Sequence, residues 1–307
     1  MKPKDLNVIY SGDCLKYLLD KGIFPNSCID FIITSPPYAD KRKETYGGIN
    51  PNKYVEWFLP IAFQLKRVLK DNGSFILNIK EHPINGERQT YVIELILGLK
   101  KQGWIWVEEY VWYKKNSFPG KWSNRFRDSW ERCLHFSKQK KIKMFQNSIK
   151  VPIGDWSKQR FNSMSEKDFI RHVSKNNKHL SRKVANWLNR KKVYPHNVVE
   201  FEKEHYSISN NVLNFATDCT NRRNHSAVFP IELPTWFIKL FTRKNDVVLD
   251  PFIGSGTTAL ACILLERKFI GIEIMQDYIN EIENNINELE GTINNKIDYK
   301  IINHENI

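Results

Sequence analysis

The chain has 307 residues, of which 41% are hydrophobic and 13% aromatic, a composition that excludes intrinsic disorder and allows one large domain or two ordinary ones. It carries a net charge of +13, and its five cysteines include no C-x-x-C pair, which disfavours a disulfide framework and a zinc site. Because no apolar run reaches the length of a membrane span and the first residues lack a signal-peptide core, we expect a cytoplasmic protein without a membrane partner. The eight histidines show no metal-ligand spacing, so no metal is expected.

The first 138 residues alternate short apolar runs with helical patterns. Strands are predicted at 7–13, 28–35, 73–80, 104–115 and 131–138, and helices at 14–22, 53–70 and 91–103. Strands that alternate with helices at these lengths predict an α/β fold with a doubly wound, mostly parallel, Rossmann-like sheet.

Residues 139–224 lose this pattern and become basic and rich in Asn and Ser. The stretch from Lys138 to Lys192 holds 16 basic and 3 acidic residues, so its net charge of +13 equals that of the whole chain. A surplus of this size favours a polyanionic partner, and nucleic acid is favoured over a membrane. A basic surface that is only solvated is the alternative. We predict a separate recognition region here, with its best helix at 180–192.

The α/β pattern returns after residue 225. Helices are predicted at 230–242, 257–268 and 275–291, and strands at 246–250 and 269–274. The remaining residues are polar, and we predict a C-terminal tail over 291–307.

A glycine-rich turn, D-P-F-I-G-S-G-T-T over 250–258, lies between a predicted strand and a predicted helix. Gly254 and Gly256 let the backbone approach a ligand at a helix N-terminus. Glu273 ends the next strand, where an acid can hold both ribose hydroxyls of a nucleotide or nucleoside. No Gly-Lys-Ser/Thr follows, so a nucleoside without a pyrophosphate fits better. S-adenosylmethionine is the predicted cofactor, and a purely structural turn is the alternative.

A second motif, S-P-P-Y over 35–38, ends a buried strand. Prolines donate no backbone hydrogen bond, so this corner offers only acceptors, the Ser35 oxygen and the carbonyl of Pro36. Two converging acceptors suit an exocyclic amino group, whose lone pair they could direct at a methyl donor. The aromatic ring of Tyr38 could stack on a flat substrate. An ordinary strand-to-loop turn is the alternative.

The pair of motifs resembles the beta-class DNA amino-methyltransferases of restriction–modification systems, and within them the PvuII-type N(4)-cytosine enzymes. The resemblance rests on T-S-P-P-Y before a basic region and F-x-G-x-G-T after it. It implies a circularly permuted methyltransferase sheet with an inserted target-recognition region. The implied divisions are a catalytic half at 1–138, target recognition at 139–224, a cofactor half at 225–290 and the tail at 291–307.

The resemblance also implies roles for individual residues. The catalytic set is Ser35, Pro36, Pro37 and Tyr38. The cofactor-binding set is Asp13, Asp250, Phe252, Gly254, Ser255, Gly256, Thr257, Glu273, His225 and Phe229. Within that set, Asp13 would bind the adenine amino group and Glu273 the ribose. Ser226 departs from the proline that the family usually carries in the H-P-x-x-F-P segment.

The first residue of the S-P-P-Y motif bears on the base. In the family, Ser usually goes with cytosine and Asp with adenine, so N(4)-cytosine methylation of double-stranded DNA is favoured and N(6)-adenine methylation is the alternative. Carbon-5 methylation is disfavoured because none of the five cysteines follows a proline. An inactive DNA-binding subunit is the rival from another class. DNA contact is expected through 138–192, with 121–127 as a second candidate; a cognate restriction endonuclease and a monomer or homodimer stay open.

Overall fold

The structure, a computed structural model, describes residues 2–39, 48–114, 124–126, 128–153, 159, 162–163, 192–200 and 229–303. The chain divides into two compact units, Met1–Met144 with Asn197–Ile307, and Phe145–His196. The larger unit contains the main sheet. The predicted helix at 180–192 lies almost entirely outside the described residues, which include only its last position.

Thirteen strands run through the described residues. In chain order they are β1 (Val8–Ser11), β2 (Ile29–Thr34), β3 (Leu69–Ile79), β4 (Pro83–Ile84), β5 (Glu87–Arg88), β6 (Ile105–Tyr113), β7 (Trp130–Ser137), β8 (Val151–Pro152), β9 (Lys192–Val193), β10 (Val198–Glu200), β11 (Val247–Asp250), β12 (Lys268–Glu273) and β13 (Lys300–Asn303). The strands predicted in both halves of the sequence are confirmed, with ends shifted by a few residues.

Nine of these strands form one sheet in the order β10-β6-β7-β3-β2-β11-β12-β1-β13. Neighbours pair in parallel except β7, which runs antiparallel to both β3 and β6. Every residue of β2 is buried, as the near-continuous apolar run of a parallel strand covered on both faces requires. The mostly parallel α/β sheet is therefore confirmed.

Six α-helices in the described part of the chain flank the sheet. They are α1 (Cys14–Leu19), α2 (Pro51–Val68), α3 (Tyr91–Lys101), α4 (Glu232–Phe241), α5 (Thr257–Leu264) and α6 (Gln276–Ile293). Tyr10 of β1 contacts Tyr17 of α1, with ring centroids 4.8 Å apart. Phe31 of β2 stacks on Phe241 of α4 at 5.3 Å. Apolar side chains thus pack against helices from both chain halves, which hold the strand ends in place.

The sheet reverses its direction of growth between β2 and β11. From β2 the chain continues to β3 on one side, and from β11 it continues to β12 on the other. The carboxyl ends of these strands carry Ser35 and Asp250, so the two sequence motifs meet at the switch point. Ligands of open α/β sheets bind in the crevice at this position.

The smaller unit is described in part. It contains a 3₁₀ helix at Gln146–Ile149 and the antiparallel pair β8–β9. The Lys150 Nζ atom lies 4.7 Å from the ring centroid of Tyr194. This unit, Phe145–His196, lies within the stretch 139–224, for which target recognition stays a prediction.

Two strands of the main sheet fall where the sequence indicated none. Val198–Glu200 joins the edge of the main sheet beside β6, although we expected the recognition region to extend to 224. The prediction of a polar tail from 291 onward is wrong for the described residues, because α6 continues to Ile293 and Lys300–Asn303 pairs in parallel with β1. The half-buried Ile301 and Ile302 anchor this edge strand, and the surrounding polar residues hid its short apolar signal.

No helix in the described part of the chain combines the length and the apolarity needed to cross a membrane. Four cysteines, Cys14, Cys28, Cys133 and Cys262, are free and buried.

Candidate functional site

A cavity of about 480 Å³ lies at the carboxyl edge of the sheet. Eleven of the predicted site residues line it, namely Asp13, Ser35, Pro36, Pro37, Tyr38, Phe229, Phe252, Gly254, Ser255, Thr257 and Glu273. Its volume falls within the roughly 300–1,000 Å³ of small-molecule sites. The structure thus brings together two motifs that are separated by more than 200 residues in the sequence.

Hydrogen bonds from neighbouring elements fix the position of the S-P-P-Y corner. The buried Thr34 donates its hydroxyl hydrogen to Asp250 Oδ1 at 2.7 Å, which ties the end of β2 to the end of β11. Tyr54 of α2 donates to the Pro37 carbonyl at 2.9 Å. Within the described part of the chain, no donor is bonded to the Pro36 carbonyl. This carbonyl and the half-exposed Ser35 therefore remain available as the two acceptors.

Tyr38 is fixed by its hydroxyl group. It donates to Glu131 Oε2 at 2.8 Å. Asn78 Oδ1 lies 3.5 Å from the same hydroxyl. Burial and the adjacent Glu131 carboxylate raise the pKa of Tyr38 well above its usual value, so the phenol is neutral and acts as a donor.

The glycine-rich loop is organised by Asp250. This buried carboxylate accepts from the Thr34 and Thr258 hydroxyls and from the Phe252 amide. Burial raises its pKa to about 6, against the effect of these three hydrogen bonds. Asp250 does not line the cavity, so its geometry serves the loop; the cofactor contact assigned to it stays a prediction.

Two glycines in the loop adopt positive φ angles, +56° at Gly254 and +89° at Gly256. A Cβ at Gly254 would meet no atom within 4 Å, and this residue lines the cavity, so a ligand could approach its backbone closely. A Cβ at Gly256 would lie 3.0 Å from Ile282 of α6. Gly256 therefore serves helix packing, and it does not line the cavity.

Glu273 is the acid at the carboxyl end of β12, and only 4% of it is exposed. Its carboxylate accepts from the amides of Gly254, Ile274 and Met275 at 2.9–3.0 Å. Burial raises its pKa to about 7, while the three amide bonds favour the ionised form. The side chain joins the loop to β12 and still lines the cavity, as a ribose-binding acid should.

The other predicted cofactor residues surround this end of the cavity. Asp13 caps α1 through a bond from the Lys16 amide to Oδ1 at 3.0 Å, and its carboxylate borders the cavity. Phe252 lies 5.7 Å from the Trp57 ring, and the two rings form an aromatic wall. Phe229 lines the cavity as well. His225 and Ser226 lie outside the described residues.

Fourteen further lining residues were not identified as site residues from the sequence: Gly12, Cys14, Ile49, Trp57, Ile61, Asn78, Trp112, Lys114, Glu131, Pro251, Ile253, Ile272, Ile274 and Tyr278. Trp112 is buried, yet it borders the cavity. Glu131 and Lys114 form an ion pair in the same wall. The alternation of β6 places Trp112 and Lys114 on one face, but only the register of β6 with β7 brings Glu131 beside them.

The beginning of the basic stretch can be located. Lys140 and Lys141 are exposed in the turn after β7. Since β7 is antiparallel to β3, this turn lies at the sheet edge opposite the cavity. Of the second candidate segment, 121–127, only 124–126 is described, and Phe126 in it is 97% exposed. No group of three or more metal-ligand side chains occurs among the described residues.

Comparison with known proteins identifies the family. A family model described as DNA methylase, of the N6/N4 methyltransferase type, matches residues 29–284. The chain belongs to this DNA methylase family.

Individual relatives agree with the assignment to the DNA methylases. The chain is 28% identical to the type II methyltransferase M.PvuII of Proteus hauseri, over 91% of this chain and 85% of that protein. The solved PvuII DNA methyltransferase (cytosine-N4-specific) superposes with a TM-score of 0.64 at 23% identity, over 100% of this chain and 97% of that one. The putative DNA modification methylase TTHA0409 of Thermus thermophilus, solved with S-adenosyl-L-methionine, gives 0.58 at 16% identity, over 97% and 98%.

Proposed function

We propose that this DNA methylase transfers a methyl group from S-adenosylmethionine to the N4 amino group of cytosine in duplex DNA. In this proposal it is the modification enzyme of a restriction–modification system and acts in the cytoplasm. One observation carries the proposal: Ser35 and Pro36 line the same cavity as Glu273 and the glycine-rich loop. An amine-binding corner and a nucleoside-binding loop thus share one site. The match to M.PvuII supports the choice of base.

The Glu273 end of the cavity fits S-adenosylmethionine. Glu273 would hold the ribose hydroxyls, Asp13 the adenine amino group, and the backbone at Gly254 would allow close approach. The buried carboxylate could accept hydrogen bonds from the hydroxyls of an uncharged ribose, and the open space at Gly254 leaves room for the ligand. When bound, S-adenosylmethionine supplies an electrophilic methyl group on a sulfonium. No phosphate-binding lysine follows the loop, which agrees with a cofactor that has no pyrophosphate.

The other end positions the base. The Ser35 oxygen and the Pro36 carbonyl would accept the two hydrogens of the amino group and orient its lone pair toward the cofactor end. The hydrogen bond from Tyr38 to Glu131 holds the aromatic ring beside the corner, where it can stack on the base. Positioning and electrostatics provide the catalysis, and no covalent intermediate with the protein is needed. The surplus proton leaves to solvent.

The target base must leave the double helix to reach this corner, at a cost of about a few kcal/mol. Duplex binding is assigned to the basic stretch of Lys138 to Lys192, mainly by contacts to phosphates. Adenine is the alternative base, because the DNA methylase family is of the N6/N4 type. Serine, a weaker acceptor than aspartate, is the observation that favours cytosine.

The test is a product analysis. The purified protein is incubated with methyl-deuterated S-adenosylmethionine and mixed genomic DNA, and the digested nucleosides are separated by mass spectrometry. Deuterated N4-methylcytosine is the expected product, and single-molecule sequencing of the same DNA locates the target sequence. Deuterated N6-methyladenine would confirm methyl transfer to an amino group of DNA but would show that the assignment of cytosine as the target base is wrong. Cofactor binding without any transfer would favour an inactive DNA-binding subunit.

Replacement of Ser35 tests the amine-binding corner. We expect Ser35→Ala to lower kcat about 100- to 1,000-fold, because removal of one preorganised hydrogen-bonding group at a reacting atom has an effect of this size. The affinity for S-adenosylmethionine should stay within about twofold, since Ser35 lies at the other end of the cavity. Methyl transfer is measured under single turnover, and cofactor affinity by calorimetry.

Ser137→Ala is the matched control. Ser137 is likewise a serine at a strand end, and its side chain donates to the Gln139 carbonyl at 2.8 Å, but it is buried and lies at the opposite sheet edge. Its kcat should be unchanged. An equal loss in both variants would show that a serine hydroxyl matters only for folding.

A further inference from the structure

The far wall of the cavity contains a charged pair built by two antiparallel strands. Lys114 directly follows β6, and Glu131 is the second residue of β7, where it pairs in register with Trp112. Lys114 Nζ donates to Glu131 Oε1 and lies 4.4 Å from the ring centroid of Trp112. All three side chains line the cavity. Neither sequence motif includes them.

This pair connects to the catalytic corner. The two oxygens of Glu131 have different partners: Oε1 accepts from Lys114, and Oε2 accepts from the Tyr38 hydroxyl at 2.8 Å. A single carboxylate, 8% exposed, therefore positions both the aromatic ring beside the amine site and an ammonium group further along the wall.

Lys114 retains the capacity to bind a further acceptor. An ammonium group has three donor hydrogens and no acceptor. Among the described residues, Glu131 is the acceptor of one of them, and the Trp112 ring covers one side of the group. The Lys114 side chain is 32% exposed and faces the cavity. A bound molecule with an oxygen or ring nitrogen at this point would receive a charge-assisted hydrogen bond.

Cytosine and adenine differ at the position that such a donor would reach. Beside its amino group cytosine has the acceptor N3, followed by the O2 carbonyl. Adenine has the acceptor N1 beside its amino group, followed by a C–H group. With the amine held at Ser35, only cytosine presents a carbonyl further along the same edge.

We propose that Lys114 is a specificity-determining residue that donates a hydrogen bond to O2 of the flipped cytosine, and that Glu131 is the positioning residue that aims it. This inference rests on the proposed function. The S-P-P-Y motif would contact the amino group, which cytosine and adenine share. Lys114 would contact a carbonyl that only cytosine presents. A site built to hydrogen-bond a substrate group discriminates against analogues that lack it.

The test uses two duplexes that differ in one base at the mapped target site. One contains cytosine, and the other a 2-aminopyridine C-nucleoside, which keeps the amino group and the adjacent ring nitrogen but has C–H in place of the O2 carbonyl. For each enzyme, the preference is the kcat/KM for the cytosine duplex divided by the kcat/KM for the aminopyridine duplex. We expect this preference to be about 10- to 100-fold larger in the wild type than in Lys114→Met, because a hydrogen bond to a charged group contributes an effect of this size. Because both enzymes are tested on the same two duplexes, the intrinsic reactivities of the two bases cancel when their preferences are compared.

Lys70→Met is the matched control. Lys70 also pairs with a buried carboxylate, that of Asp30, at 2.8 Å, but at the opposite edge of the sheet. Each substitution removes one cation from a buried carboxylate, although Asp30 keeps Lys143 at 3.6 Å. Only Lys114→Met should change the preference between the duplexes. The double variant Lys114→Met with Glu131→Gln removes the uncompensated charge, and it should show the same loss of preference if the single variant folds poorly.

The outcomes separate the inference from the function on which it rests. If cytosine is methylated and the ratio is the same in wild type and both Lys114 variants, Lys114 does not read O2 and the inference is overturned. Glu131→Gln alone should weaken the preference, since it releases Lys114. If the wild type methylates adenine, the proposed function fails first, and this appears in the nucleoside analysis without any variant.

Discussion

Glu273 has two tasks that make opposite demands on its charge. Its three backbone amide bonds join the glycine-rich loop to β12, and these bonds favour a carboxylate. Burial, with a smaller contribution from Asp250, disfavours the charge and raises the pKa of Glu273 to about 7. In the proposed complex, two ribose hydroxyls would add donors and favour the ionised form further. Cofactor binding should therefore be coupled to loss of a proton.

The coupling has a definite sign. The folded pKa of about 7 is above the ordinary value, so below pH 7 the carboxyl of the free protein is protonated and binding must first remove that proton. We expect the affinity for S-adenosylmethionine to fall up to about tenfold per pH unit below pH 7 and to be flat above it. Calorimetric titrations between about pH 5.5 and 8.5 measure this dependence.

Glu273→Gln is the control for this pH profile. The amide cannot ionise, so the variant should bind more weakly at pH 8 and show a much flatter profile. Burial raises the pKa of Asp250 to about 6, and the charge of Asp250 acts on Glu273, so any slope that remains in the variant is assigned to Asp250. A variant that keeps the full slope would assign the proton to a group other than Glu273.

At the scale of elements, the edge strand β13 shows what a short segment contributes. Its four residues pair in parallel with β1, from Val8↔Lys300 to Ser11↔Asn303, and the Tyr17 hydroxyl lies 3.4 Å from the Ile302 carbonyl. The other edge of β1 pairs with β12, whose end carries Glu273. The strand thus protects an edge that would otherwise expose unpaired backbone groups beside the cofactor end of the cavity.

Truncation tests this contribution. A chain that ends at Asn294 loses β13, and we expect its free energy of unfolding to decrease by about 1–3 kcal/mol through loss of the ladder and of apolar burial at Ile301 and Ile302. Urea denaturation measures the change. A chain that ends at Asn303 keeps β13 and should unfold like the full-length protein. Equal stability of both truncated chains would mean that β13 adds nothing to the sheet.

Local pattern was sufficient for most elements and for one half of the site. The buried strands and their flanking turns are contiguous in sequence, so their apolar runs and the two motifs could be identified directly. The far wall could not be, because Trp112, Lys114 and Glu131 converge only through the antiparallel register of β6 and β7. The edge strands β10 and β13 were missed because edge strands need few apolar residues.

At the scale of the whole molecule, the net positive charge is concentrated in one stretch of the chain. Outside Lys138–Lys192 the remaining 252 residues carry 31 basic and 31 acidic side chains, as the difference between 47 and 16 and between 34 and 3 shows. The catalytic sheet is thus neutral, and the basic surplus lies in one stretch. Near its start are Lys140 and Lys141, which lie at the sheet edge away from the cavity.

The two ends of this basic stretch should therefore differ in their effect on DNA binding. Replacement of Arg182, Lys183, Arg190 and Lys191 by Gln should weaken duplex binding at low salt and reduce the slope of log K against log salt by about 0.9 for each phosphate that the variant no longer neutralises. Replacement of Lys140 and Lys141 by Gln should leave both quantities nearly unchanged, because these side chains face away from the site. Fluorescence anisotropy with a labelled duplex at about 50–300 mM salt gives both slopes. If the Lys140 and Lys141 variant shows as large a decrease in slope per charge as the other, DNA binding follows net charge alone and no surface of the chain is specialised for it.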